Sequence, residues 1–73
     1  MDTKPIPDVS GTWDDKQHNR WLVDTNSHTA WKTHIYDPQT NTRHELPVAN
    51  EWPWDTLHNH GPFTLVMQLP FYH

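Results

Sequence analysis

Histidine is the residue type in this sequence best suited to chemistry, because imidazole binds metal ions and exchanges protons near neutral pH. The chain has seven histidines and no cysteine. His58 and His60 would share a face on a strand, but on a helix they would lie about 200° apart and could not share an ion. His34 and His44 would face each other across a hairpin whose turn keeps register. These four histidines are the candidate ligands of a metal-binding or sensing protein, although their spacing matches no zinc pattern.

Catalytic groups are harder to find in the sequence. Nucleophilic catalysis needs a nucleophile, a base and an orienting group inside a cleft, and a chain of this size rarely encloses a pocket of about 300 Å³. Ser10 and Ser27 stand in predicted loops without distinctive neighbours, and Asp14-Asp15 is typical of a solvated loop. We therefore expect a protein that is not an enzyme, with no catalytic residues and no cofactor.

The five tryptophans indicate a binding function, since tryptophan and tyrosine dominate the hot spots of protein interfaces. A helix over residues 51–60 would direct Trp54 and Leu57 inward and leave Trp52 outward. Glu51 and Asp55 would flank that ring and complement a basic patch on a partner. The uncharged C-terminal tail adds two further aromatic rings. The predicted partner-binding residues are Trp52, Glu51, Asp55, Trp54, Phe71 and Tyr72.

Length and charge exclude several classes of protein. Seventy-three residues make one domain at most, with a thin core that no disulfide can reinforce. A formal charge of −4 argues against direct binding to nucleic acid, which relies on clustered Lys and Arg. No apolar run approaches the roughly 18–20 residues of a membrane span, and residues 1–5 do not resemble a signal peptide. We expect a cytoplasmic protein.

A β-hairpin is the clearest structural prediction. Residues 29–36 alternate as a strand does, and residues 42–46 form the partner strand. Asp37 can accept a bond from the backbone ahead of it, Pro38 presets φ, and Asn41 tolerates the left-handed conformation that closes the turn. The segment from Ile35 to Pro47 resembles the inner hairpin of a kelch-type propeller blade. Blades need several copies in a ring, so this single copy implies the hairpin alone.

The flanking segments are predicted less directly. Residues 1–11 are predicted as a flexible N-terminal arm, and residues 12–73 as a single small domain. The segment 12–21 allows either a capped helix or, as we favour, a short strand ending at Trp13 and a polar loop before a strand at 20–24. Leu46-Pro47-Val48-Ala49 is expected to leave the sheet, and Asn50 to cap the helix over 51–60, which Gly61-Pro62 ends. Residues 63–69 form a last strand whose apolar face is predicted to carry Phe63, Leu65, Met67 and Leu69.

The predicted fold is therefore small α+β and predominantly β: a three-stranded antiparallel meander, one short helix and one C-terminal strand. Acidic, cysteine-free, tryptophan-rich chains under 80 residues resemble small phage-encoded proteins that bind and inhibit host machines such as RNA polymerase. The resemblance implies a non-enzymatic protein-binding module in the host cytoplasm, with another protein as partner. The alternative function is the histidine-based metal-binding or sensing protein.

Overall fold

A single antiparallel sheet makes up most of the computed structural model, which describes residues 3–69. Its six strands lie in the order β1-β6-β2-β3-β4-β5. They are β1 (Thr3–Lys4), β2 (Gly11–Asp14), β3 (Arg20–Asp24), β4 (Thr29–Asp37), β5 (Thr42–Trp52) and β6 (Phe63–Gln68). One 3₁₀ helix, Trp54–Asn59, connects β5 to β6. The predominantly β architecture with little helix is as predicted from the sequence.

The meander has four strands, so the prediction of three was wrong. β2 to β5 are consecutive neighbours in the sheet, and β2 joins them because Trp13 pairs with Trp21 of β3. The strand at Trp13 was the favoured prediction, and the capped helix over 12–21 does not form. A strand of four residues gains most of its stability from pairing with β3 and β6, which local sequence patterns do not reveal.

The β4–β5 hairpin is confirmed, and its turn has the predicted chemistry. The Gln39 amide donates to Asp37 Oδ1 at 2.9 Å. Asn41 has φ of 55°, in the left-handed region. Its Oδ1 also accepts a hydrogen bond of 2.7 Å from the Tyr36 hydroxyl, which ties the turn to β4.

The prediction that the chain leaves the sheet after Leu46 was wrong. β5 continues to Trp52, where Asn50 pairs with Lys32 and Trp52 with Ala30. The register shifts between Lys32 and His34, so residues 46–49 of β5 bulge and have no register partner in β4. Pro47 is tolerated because β5 is an edge strand. The helix is consequently a short 3₁₀ segment that follows Pro53, and Asn50 is not its cap.

The core lies on one face of the sheet, which we call the covered face. Its buried residues are Trp13, Trp21, Val23, Ala30, Leu57 and Phe63. Leu57 comes from the 3₁₀ helix, so the helix covers this face. Four partly buried side chains pack against the cluster: Val9, Trp52, Trp54 and Leu65. No helix within residues 3–69 is both long and apolar enough to cross a membrane.

A buried carboxylate organises the loop between β2 and β3. Asp15 is 4% exposed, and its oxygens accept hydrogen bonds from the Gln17 and Asn19 amides and from Trp21 Nε1 at 2.8, 3.0 and 2.9 Å. The Asn19 side chain in turn accepts from the Tyr36 amide at 2.9 Å. The polar loop predicted here is therefore ordered by a buried polar network, because a buried carboxylate needs such donors.

The last strand forms as predicted, but its apolar residues do not share one face. Trp13 pairs with Leu65, whereas Thr12 pairs with Met67, and the bulge between these pairs leaves Val66 without a register partner in β2. Because Thr12 and Trp13 point to opposite faces, Leu65 lies on the covered face and Met67 on the other. Met67 is accordingly 58% exposed.

The N-terminal segment predicted as an arm contributes to the sheet within its described part. Thr3 pairs with Thr64, and Lys4 with Phe63. Trp13 Nε1 donates to the Val9 carbonyl at 3.0 Å, which holds the segment against the core. Gly11, at φ of 157°, begins β2, and a Cβ at this position would collide with the Met67 carbonyl oxygen.

Candidate functional site

The second face of the sheet, which we call the open face, has no helix of the described chain packed on it. Register partners in an antiparallel sheet share a face, so the pairings define rows across it. One row takes one residue from each of five strands, in the order Met67, Thr12, Leu22, Trp31 and Glu51. Leu22 and Trp31 are partly buried but do not belong to the core cluster. An aliphatic and an aromatic side chain therefore lie at the centre of this face.

A second row of the open face is polar. It runs through Thr64, Asp14, Arg20, His34 and Glu45. Asp14 accepts from Arg20 Nε at 3.0 Å and from Arg43 Nη2 at 2.9 Å. The hydrogen bond from Arg20 to Asp14 raises the pKa of Arg20. Both arginines thus share one carboxylate, and the three side chains together keep one excess positive charge.

Three carboxylates at the rim of the open face remain unneutralised. Glu45 and Glu51 belong to its two rows, and Asp24 follows Leu22 on the same side of β3. None of the three forms an ion pair with a described residue. These three carboxylates outweigh the single excess positive charge of the Asp14–Arg20–Arg43 cluster, so the open face carries a net negative charge.

A cleft of about 370 Å³ opens on this face. Leu22, Thr12, Val66 and Met67 contribute its apolar side, and Arg20, His34 and Glu45 its polar side. His34 is oriented by a 2.8 Å hydrogen bond between its Nδ1 and the Thr33 hydroxyl. The cleft is large enough to take one side chain of a partner, with charged groups at its edge.

Trp52, the predicted anchor, faces the core and not the solvent. It pairs with Ala30, packs edge-on against Trp21 at 5.7 Å and against His60 at 5.3 Å, and its Nε1 is buried. The outward orientation was wrong because Trp52 belongs to β5, where alternation directs it to the covered face. Glu51, its neighbour, points to the open face beside Trp31. Glu51 therefore lies beside Trp31 and does not flank an outward-facing Trp52.

The remaining predicted partner-binding residues do not gather at one place. Trp54 is partly buried against the core and stacks on His28, with ring centroids 5.0 Å apart. Asp55 is exposed on the 3₁₀ helix, above the covered face. Phe71 and Tyr72 lie outside the described residues.

The four candidate metal ligands are also separated. His34 pairs with Glu45 and His44 with Ile35, so the two histidines lie on opposite faces and the predicted juxtaposition was wrong. His58 is exposed on the helix, whereas His60 packs against Trp21 at 5.3 Å. Within residues 3–69 no three His, Asp or Glu side chains are grouped as a metal site would require.

Trp31 and Leu22 were not among the predicted partner-binding residues, although strand alternation indicates the position of Leu22. Trp21 and Val23 alternate with Leu22, which must lie on the opposite face when the first two are buried. Only the register of β3 against β4 shows that Trp31 shares that face.

No protein-family model, curated protein or solved structure matches this chain.

Proposed function

We propose that this protein is a non-enzymatic protein-binding module whose open face binds a positively charged surface of another protein. The observation that supports the proposal is the row formed by Leu22 and Trp31, rimmed by Asp24, Glu45 and Glu51. An apolar centre with a polar rim is the arrangement that protein interfaces use. This function class is the one expected from the sequence, but the proposed binding surface is centred on Trp31 and not on Trp52.

Trp31 is the proposed anchor residue. It is partly buried outside the core cluster, so part of its ring is available for contact with a partner. A tryptophan at the centre of an interface gains the most when its remaining surface is desolvated. The adjacent cleft, lined by Leu22 and Met67, would receive an apolar side chain of the partner.

The charge of the molecule favours a basic partner. The chain carries a formal charge of −4, and the rim carboxylates concentrate part of it at the open face. Such a field accelerates encounter with a positively charged protein and disfavours acidic ones. The partner class that fits is a nucleic-acid enzyme with a basic channel, such as a host RNA polymerase, inhibited by occupancy as the resemblance to small phage proteins suggests.

Trp31→Ala tests the proposed anchor. Removal of the indole is expected to weaken partner binding by about 2 kcal/mol or more, because a central aromatic contact is lost. The measurement is retention of partners from a bacterial lysate on immobilised protein, identified by mass spectrometry. A thermal melt of the same variant shows whether the fold is intact.

A pair of charge reversals provides the control. Glu51→Lys and Asp55→Lys change net charge equally, but Glu51 points to the open face and Asp55 does not. The proposal requires Glu51→Lys to weaken retention of the basic protein while Asp55→Lys leaves it near wild type. Equal losses in the two variants, or full retention by folded Trp31→Ala, would place the interface elsewhere.

A further inference from the structure

A second cleft, of about 650 Å³, lies beside the loop between β2 and β3. The cleft is lined by Gln17, His18, Asn19, Lys32, Ile35, Tyr36 and Pro38. Lys32 and Ile35 come from β4, and Gln17 and Asn19 from the loop that Asp15 organises. The cleft thus contains one lysine, Lys32, beside the apolar side chains of Ile35 and Pro38.

The Lys32 ammonium is held in place without a carboxylate. Its Nζ lies 4.5 Å from the ring centroid of Trp52 and 5.1 Å from that of Trp21. No described Asp or Glu forms an ion pair with it. Two cation–π contacts therefore hold the charge at a defined position while leaving it without a counter-ion. A positioned, partly buried ammonium is a recognition element for an anion.

The apolar wall of the cleft is rigid. Tyr36 is fixed by its hydroxyl bond to Asn41 and by an edge contact with His18, whose ring centroid is 5.3 Å away. His18 has φ of 68°, and its carbonyl accepts from Arg43 Nε at 2.9 Å. Ile35, which points to the other side of β4, is 38% exposed and also lines the cleft. A site whose walls are already ordered binds a ligand with little loss of conformational entropy.

We propose that this cleft binds a small organic carboxylate with a flat apolar body. The carboxylate would pair with Lys32 and accept from the Gln17 side-chain amide, and the body would lie against Ile35 and Pro38. This proposal does not rest on the function proposed for the open face.

A monocarboxylate suits the cleft better than a phosphate does. Phosphate sites commonly use the bidentate arginine fork, and the nearby Arg43 is engaged by Asp14 and the His18 carbonyl. Only one cation, Lys32, lines the cleft, and the protein as a whole is negative. A dianion would therefore be repelled more strongly than a monoanion.

Benzoate is the probe that tests this site, with benzamide as its neutral isostere. Titration of the wild-type protein should shift the backbone NMR signals of His18 and Ile35 and change the emission of Trp21 and Trp52, over which Lys32 lies. Benzamide should bind with an affinity at least about tenfold lower than that of benzoate, since it lacks the charge that Lys32 recognises. This comparison needs no variant.

Lys32→Met and Lys16→Met then identify the cation. Methionine keeps an unbranched apolar stem over the tryptophans, and Lys16 is an exposed lysine that does not line this cleft. Lys32→Met should lower benzoate affinity at least about tenfold, and Lys16→Met should leave it unchanged. The proposal is overturned if benzoate does not bind, if benzamide binds equally, or if folded Lys32→Met retains wild-type affinity.

Discussion

His60 packs among aromatic rings at the edge of the core. Its ring packs against Trp21 and Trp52, each with a centroid 5.3 Å away, and the Lys32 ammonium lies over the same two indoles. Burial lowers the pKa of His60, and the positive charges of Lys32 and Lys16 lower it further against the opposing effect of Asp15. Protonation of this imidazole is therefore less favourable in the folded protein than in the unfolded chain.

The pH dependence of stability follows from that pKa. The unfolded chain binds the proton near pH 6.5, whereas folded His60 binds it only at lower pH. The contribution of His60 to stability is thus complete above about pH 7.5 and is lost as the pH falls through 6.5 towards the folded pKa. Urea unfolding at intervals between pH 8 and pH 5 measures the decline.

His60→Gln and His58→Gln separate this effect from the other titrations. His60→Gln should flatten the decline, whatever it does to stability at pH 8, because glutamine does not bind a proton. His58, exposed on the same helix, is the matched control, and its replacement should leave the decline in place. An unchanged slope in His60→Gln would show that other groups cause the acid sensitivity.

At the scale of single elements, the β4–β5 hairpin shows how much a turn can specify. Asp37 and Asn41 both make the side-chain hydrogen bonds that close the turn, and the strands on either side follow the predicted alternation. The hairpin was predictable because its determinants are adjacent in the chain. β5 beyond residue 46 was not, since its partners are in β4 and its register shifts by a bulge.

Asn41→Val tests the turn. A β-branched residue at φ of 55° is strained, and the hydrogen bond from Tyr36 is lost as well. The expected cost is on the order of 1 kcal/mol or more, which lowers the melting temperature by roughly 4–8 °C in a domain of this size. Thermal unfolding followed by circular dichroism measures it.

Thr42→Val, one residue later, is the control for that variant. Thr42 is exposed in β5, where valine is a favourable strand former. It should melt within a few degrees of wild type. Equal melting of Asn41→Val and wild type would mean that Asn41 does not hold the left-handed position.

For the whole molecule, the decisive property is that the core lies on only one face of one sheet. Trp21 is its central residue: it contacts Trp52 and Phe63 edge-on at 5.7 and 6.0 Å and donates to the buried Asp15 carboxylate. Trp31, on the opposite face, belongs to no core cluster of the described chain. The two tryptophans therefore have different consequences for stability.

Trp21→Ala should unfold most of the protein at room temperature, whereas Trp31→Ala should remain folded. Truncation of a buried tryptophan costs about 3–5 kcal/mol, and the loss of the Trp21 donor to the buried Asp15 carboxylate adds about 1–3 kcal/mol. Together these costs exceed a total stability near the lower end of about 5–15 kcal/mol, which is typical of small domains. The spread of NMR amide signals distinguishes the folded from the unfolded chain. A folded Trp21→Ala together with an unfolded Trp31→Ala would mean that the faces are assigned the wrong way round.

The sequence by itself determined the elements that depend on neighbours in the chain. The hairpin turn and the strands at 20–24 and 63–68 follow from alternation and turn chemistry. The acidic and aromatic character of the chain is also set by the sequence, because net charge and tryptophan content do not depend on the fold.

Only the tertiary structure decided which residues share a face. A bulge at Val66 sends Met67 to the open face, and the register shift in β5 sends Trp52 to the core and Glu51 to the side of Trp31. One inserted residue reverses the side to which every later residue of a strand points, so a local error in pairing changes the assignment of a whole surface. The stability of such pairings comes from strands far apart in the chain, and alternation within a single strand does not contain that information.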